Sequence, residues 1–174
     1  LLAAADGATV AVLDLDAHCG GGTQEMLTTH RLGDRIRHYD LSIDPFDAYD
    51  SVDPNDRFDV RFGCSDDNEY LTAVTDLLDT ITWDRLGLVL YNAGMDPHPQ
   101  ISRLALDIRE RLVFERAATE GVPIAWVLAG GYTTAITIDQ LVALHLLTVD
   151  TAARTPARSA TVSASKSSFL GSSR

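Results

Sequence analysis

Apolar residues gather in four short runs along the chain, at 9–15, 36–41, 86–92 and 123–129. Each is rich in Val, Ile or Leu without clean alternation, the pattern of strands covered on both faces of a parallel sheet. Between them the apolar spacing becomes helical. Over 68–81, Tyr70, Leu71, Val74, Leu77, Leu78 and Ile81 fall on one stripe, with Ser65, Asp66 and Asp67 before it as capping candidates. A second helix is predicted over 106–120, closed by Gly121 and then Val122-Pro123. A third, strongly apolar, is predicted over 138–149. Strands alternating with helices predict an α/β fold, a mostly parallel sheet flanked by helices.

After Asp150 the pattern stops. Residues 151–174 are mostly Ser, Ala and Thr with scattered basic residues, and Phe169 is the one aromatic. Such a segment buries too little apolar surface to offset its ordering entropy, so the domain is expected over 1–150 and a disordered tail over 151–174. At the other end, Leu1 to Asp6 followed by Gly7 reads as the last turn of a helix and its terminal glycine. The chain is therefore expected to begin inside a structure whose N-terminal part is missing.

Bulk properties narrow the function. The opening residues lack the basic flank and length of a signal peptide, and no apolar run approaches the roughly 20 residues of a membrane-spanning helix. Two cysteines, Cys19 and Cys64, are too few for a disulfide framework and point to a reducing compartment, cytoplasmic or, in a eukaryote, nuclear. The net charge of −11 argues against direct nucleic-acid binding. It is compatible with cationic substrates, although solubility alone accounts for it.

The chemistry concentrates at strand ends, where α/β sheets bind ligands. The first strand runs into Asp14-Leu15-Asp16-Ala17-His18-Cys19-Gly20-Gly21-Gly22. In an extended chain Asp14, Asp16 and His18 point the same way, and two carboxylates with an imidazole at one strand end call for a cation among them. The glycine run lacks the spacing and the lysine of a phosphate loop and is expected to let the backbone turn beneath a metal site. The third strand ends Tyr91-Asn92-Ala93-Gly94-Met95-Asp96, where Gly94 permits a bend that brings Asp96 towards the same metal. The fourth ends Gly130-Gly131-Tyr132, a glycine hinge presenting a tyrosine.

In this order and at these strand ends, the three motifs resemble the histone deacetylase superfamily, and their wording is similar to its class IV branch. Tyr39-Asp40-Leu41, Ser65-Asp66-Asp67-Asn68-Glu69-Tyr70-Leu71, Leu112-Val113-Phe114 and Val122-Pro123-Ile124 extend the resemblance over about residues 1–150. It implies an arginase/deacetylase-type fold with one catalytic zinc on Asp16, His18 and Asp96. Tyr132 matches the tyrosine that hydrogen-bonds the substrate carbonyl. Asp14, the side chain of Asp40 and carbonyls near Asp16, His18 and Leu41 match a structural monovalent-cation site for K+ or Na+. Phe62, Gly130 and Gly131 match the acyl channel. The implied reaction is zinc-dependent hydrolysis of an acyl amide, with acyl-lysine or a small acylated amine as substrate.

The chain also departs from that family. The resemblance calls for a general base made of two adjacent histidines, and His18, His30, His38, His98 and His145 are all isolated. Either the sequence is a fragment of a longer product, the preferred reading, or it is a metal-binding remnant without hydrolytic activity. Cys19 stands where relatives carry His or Gln, and Pro97-His98-Pro99-Gln100-Ile101-Ser102 replaces an Asp- and Gly-rich loop. His98 is placed near the mouth of the site or in an ordinary loop, and His145 in helix packing. Arginase-like ureohydrolases share the Asp-Ala-His motif but need a further Asp two residues after the His. Gly20 occupies that position, which favours one metal over two.

Overall fold

A computed structural model describes residues 7–49 and 58–156, with the side chains of 58–62 excepted. Five strands form one parallel sheet: β1 (Thr9–Asp14), β2 (Ile36–Ser42), β3 (Phe58–Phe62), β4 (Leu86–Gly94) and β5 (Ile124–Ala129). Among the described residues four α-helices are interspersed with them: α1 (Gly21–Thr29), α2 (Asp67–Thr80), α3 (Arg103–Glu120) and α4 (Ile138–Arg154). The strand order is β3-β2-β1-β4-β5. The chain steps outward from β1 through β2 to β3, then crosses to the other side of β1 for β4 and β5. The order thus reverses between β1 and β4, and a parallel sheet opens its ligand crevice at such a reversal, outside the carboxyl ends of the strands.

The helices start and stop where the sequence supplies caps. Asp66 caps α2 by accepting from the Asn68 and Glu69 amides at 2.8 and 3.0 Å, and Gly121 closes α3 in the left-handed region at φ 72°. Thr137 and Gln140 form a reciprocal capping box on α4. Asp67 also ties α2 to α3, its carboxylate accepting from the Ser102 amide and hydroxyl at 2.7 and 2.5 Å. Leu13, Leu41 and Tyr91 from the sheet share one core with Tyr70, Val74 and Leu77 of α2, Leu106 and Val113 of α3 and Leu144 of α4.

Several expectations need correction. Helix α4 runs on to Arg154, past the boundary expected at Asp150, because Thr151 is buried and Ala152 packs against the core, while Ala153 and Arg154 face outward. Residues 157–174 and 1–6 lie outside the described residues. Strand β5 is not covered on both faces: Val127 and Leu128 are 59% and 48% exposed at the edge of the sheet. Two further elements, α1 and β3, extend the predicted set. Among the described residues no helix is long and apolar enough to cross a membrane.

Leu13 lies fully buried in the central strand β1. Leu13→Ala is expected to cost about 2–5 kcal/mol of stability in urea titration; a loss below about 1 kcal/mol would contradict the central placement of this strand.

Candidate metal centre

Each ligand candidate is positioned by a glycine or by the end of a strand. The β1–β4 ladder pairs Asp14 with Asn92, and beyond it the chain turns, with the Leu15 amide reaching the Asn92 carbonyl at 3.3 Å. A Cβ at Gly94 would meet the Asp16 side chain, so only glycine lets the end of β1 settle against β4 there. At the neighbouring strand end, Gly130 and Gly131 adopt φ 60° and 85°, and a Cβ on Gly130 would meet the Asp96 carboxylate. The result is a cluster: one donor atom each from Asp16, His18 and Asp96, all within 4.8 Å of one another. His18 Nδ1 stands 3.1 Å from Asp96 Oδ2 and 3.7 Å from Asp16 Oδ1.

Asp14 does not join that trio. Strand geometry ends at Asp14, so the period-two alternation predicted through His18 stops there. Asp14 lies opposite Asp40 on β2 and accepts from Asn92 Nδ2 at 2.7 Å. Asp40 accepts from the Gly20 amide at 2.6 Å and the Tyr49 hydroxyl at 3.1 Å, while its Oδ1 has no hydrogen-bond partner. His38, fully buried, stacks on Tyr49 and contacts its hydroxyl through Nδ1 at 3.1 Å. Leu41 follows on β2 with its side chain in the core.

Burial drives the electrostatics. It pushes the Asp14 carboxyl up to about 7 against the Asn92 hydrogen bond, with the charges of Asp16 and Asp40 adding to the shift. It raises Asp40 to about 6 and Asp16 above the usual carboxylate range, and it lowers His38 to about 4. Asp96 is 2% exposed, and its Oδ2 makes no hydrogen bond. Buried carboxylates this close, one with an orphaned oxygen, are stabilised by a cation. One imidazole and two carboxylates would suit a divalent ion of zinc's character.

The remaining predicted residues fall into place unevenly. Tyr132 is 59% exposed, its ring edge-on to His18 at 6.4 Å. On β3, the Phe62 side chain lies outside the described residues. Phe46, which the sequence reading passed over, packs edge-on to His18 at 5.8 Å and is 71% exposed. Its signal was an aromatic two residues after Asp44, whose carboxylate accepts the Phe46 amide at 2.8 Å. His98 points Nδ1 at the Ile101 carbonyl, 3.1 Å away, as a loop residue would. Cys19 contacts the Ser42 hydroxyl at 3.0 Å. Gly20 gives its amide to Asp40, and a Cβ there would meet His38, so this position offers no second-metal ligand.

No family model matches the chain. It is 30% identical over 131 residues to histone deacetylase 2 of Arabidopsis thaliana, covering 71% of this chain and 34% of that protein. It is also 30% identical over 152 residues to an uncharacterized protein of Picosynechococcus, covering 79% and 47%. Its fold matches the crystal structure of acetylpolyamine aminohydrolase from Burkholderia pseudomallei with a TM-score of 0.65 at 21% identity, over 85% of this chain and 46% of that one. In sequence the chain is thus similar to a member of the histone deacetylase superfamily over about 130 residues. Its parallel sheet and flanking helices are the arginase/deacetylase fold of that structure. The chain spans less than half the length of each of these relatives.

In the metal-free protein Asp14 holds its proton more tightly folded than unfolded, about 7 against 3.8. Its contribution is therefore complete below about pH 4 and lost as pH rises towards 7. Asp14→Asn, neutral throughout, is expected to gain in thermal midpoint relative to the parent over that range, increasingly with pH. A difference that does not change with pH would contradict the buried placement of this carboxyl.

Proposed function

We propose that these residues supply the metal site and the oxyanion tyrosine of a zinc-dependent deacylase of the class IV type. The complete domain would hydrolyse the acyl amide of an acylated lysine or small amine. The observation that carries this reading is the convergence of Asp16, His18 and Asp96 at the sheet's reversal point, with Tyr132 against the same imidazole. The relatives' names point the same way, one a histone deacetylase and the other an acetylpolyamine aminohydrolase. Because each relative is more than twice as long as its matched part, the activity is assigned to a complete domain to which this chain contributes.

In this reading Asp16, His18 and Asp96 hold zinc, which when bound supplies Lewis-acid polarisation of the acyl carbonyl and acidification of water. Tyr132 reaches the site over the Gly130-Gly131 hinge and donates its hydroxyl to the carbonyl oxygen as negative charge develops there. The exposed rings of Phe46 and Tyr132 flank His18 and would border the acyl group. Beneath them Asp14 and Asp40, with the backbone around Asp16, His18 and Leu41, would hold K+ or Na+ and keep the lower carboxylates charged. The water-activating base is assigned to the rest of the domain, since none of this chain's histidines is adjacent to another.

The test is zinc binding by the chain, together with hydrolysis of acetyl-lysine peptides and acetylated polyamines by a complete domain carrying the same residues. One zinc per chain is expected, lost in Asp96→Ala. Tyr132→Phe is expected to keep the metal and lose on the order of 10²-fold or more in turnover. Zinc retained by Asp96→Ala would refute the ligand assignment. Two manganese ions would favour the ureohydrolase reading, and zinc uptake with no hydrolysis would leave a metal-binding remnant.

A further inference from the structure

Helix α3 carries a fully buried charge pair with no part in the chemistry above. Arg109 and Glu110 are both 0% exposed, with Arg109 Nη2 at 2.6 Å and Nε at 2.9 Å from Glu110 Oε1. Tyr91 of β4 donates to the same carboxylate oxygen at 2.8 Å. The other arm of the guanidinium reaches past its partner. Nη1 donates to the Leu15 carbonyl at 2.9 Å and the Gly94 carbonyl at 2.8 Å, with the Tyr70 hydroxyl at 3.1 Å.

Those two carbonyls are placed tellingly. Leu15 lies between Asp14 and Asp16, just past the last rung of the β1–β4 ladder, and Gly94 lies two residues before Asp96. Where two parallel strands stop pairing, their next carbonyls lose ladder partners and must find other donors if buried. Here one rigid fork serves both strand ends, which a flexible ammonium with a single nitrogen cannot reproduce while also gripping a carboxylate side-on. Burying a guanidinium is costly unless every contact is made, so a pair of this kind points to a need for fixed geometry.

We infer that Arg109 is a positioning residue that clamps the ends of β1 and β4 together and so sets the spacing of Asp16 and His18 against Asp96. The inference rests on the zinc reading of those three residues. It assigns to α3 the task that hydrogen-bond partners of metal ligands perform elsewhere, acting through the backbone rather than through the ligand side chains.

Zinc affinity by chelator competition and thermal midpoint of the metal-free chain are measured together in four proteins. These are the parent, Arg109→Lys, the double variant Arg109→Met with Glu110→Met, and Val113→Ala as a core control on the same helix. The double variant removes both charges, so it leaves no unpaired ion in the core. Arg109→Lys and the double variant are expected to bind zinc roughly ten- to a hundredfold more weakly, in the range seen when support of a metal ligand is removed. Val113→Ala should lower the midpoint and leave zinc affinity as in the parent. Parental affinity in a folded Arg109 variant overturns the inference alone, as does loss of the fold in both Arg109 variants, which would make Arg109 an ordinary core residue. Failure of the parent to bind zinc overturns the metal reading and this inference with it.

Discussion

Asp14, Asp16, Asp40 and Asp96 converge where β1, β2 and β4 end, and the local structure is organised around the repulsion among them. Burial raises the first three above the ordinary carboxylate range, and the fourth is left with an orphaned oxygen. A protein that gathers acids in a largely buried crevice needs a compensating cation or must keep some of them protonated. The trio at the mouth and the lower Asp14–Asp40 pair are therefore one electrostatic problem in two layers. His38, held neutral by burial, and Tyr49 fill the side of the lower layer without adding charge.

The crowding is possible only because backbone stands where side chains would otherwise be. Gly94 lets β1 lean on β4, Gly20 lets the first loop pass over His38, and Gly130 lets the last loop cross Asp96. Each glycine thus has a partner carboxylate or imidazole. The Arg109 fork works against the same background, joining two strand ends that the ladder no longer holds.

Much of this was legible in the sequence, for a physical reason. The buried strands β1, β2 and β4 announce themselves as short runs rich in Val, Ile or Leu and the amphipathic helix α2 by its periodicity, and the ligand motifs sit at or directly after strand ends. What stayed hidden lacked such a signal. Helix α1 begins with two glycines and no capping side chain and buries little beyond Gln24 and Leu27. Strand β3 is short, lies at an edge and alternates Phe58, Val60 and Phe62 with charged residues, without the Val, Ile and Leu run that marks β1 and β4. Extended geometry was carried too far at Asp14, because a strand's end is set by what its neighbour pairs with. Phe46 and Arg109 were missed because one sits in a loop and the other reads as a surface residue of a helix. Only the tertiary structure shows what each meets.

The central claim is that Asp16, His18 and Asp96 form a single metal site, and anomalous diffraction at the zinc edge from zinc-soaked crystals tests it most directly. The account predicts one strong peak per chain, with a His18 nitrogen and oxygens of Asp16 and Asp96 at about 2.0–2.2 Å. A peak held by other residues, or two peaks sharing these carboxylates, would contradict it.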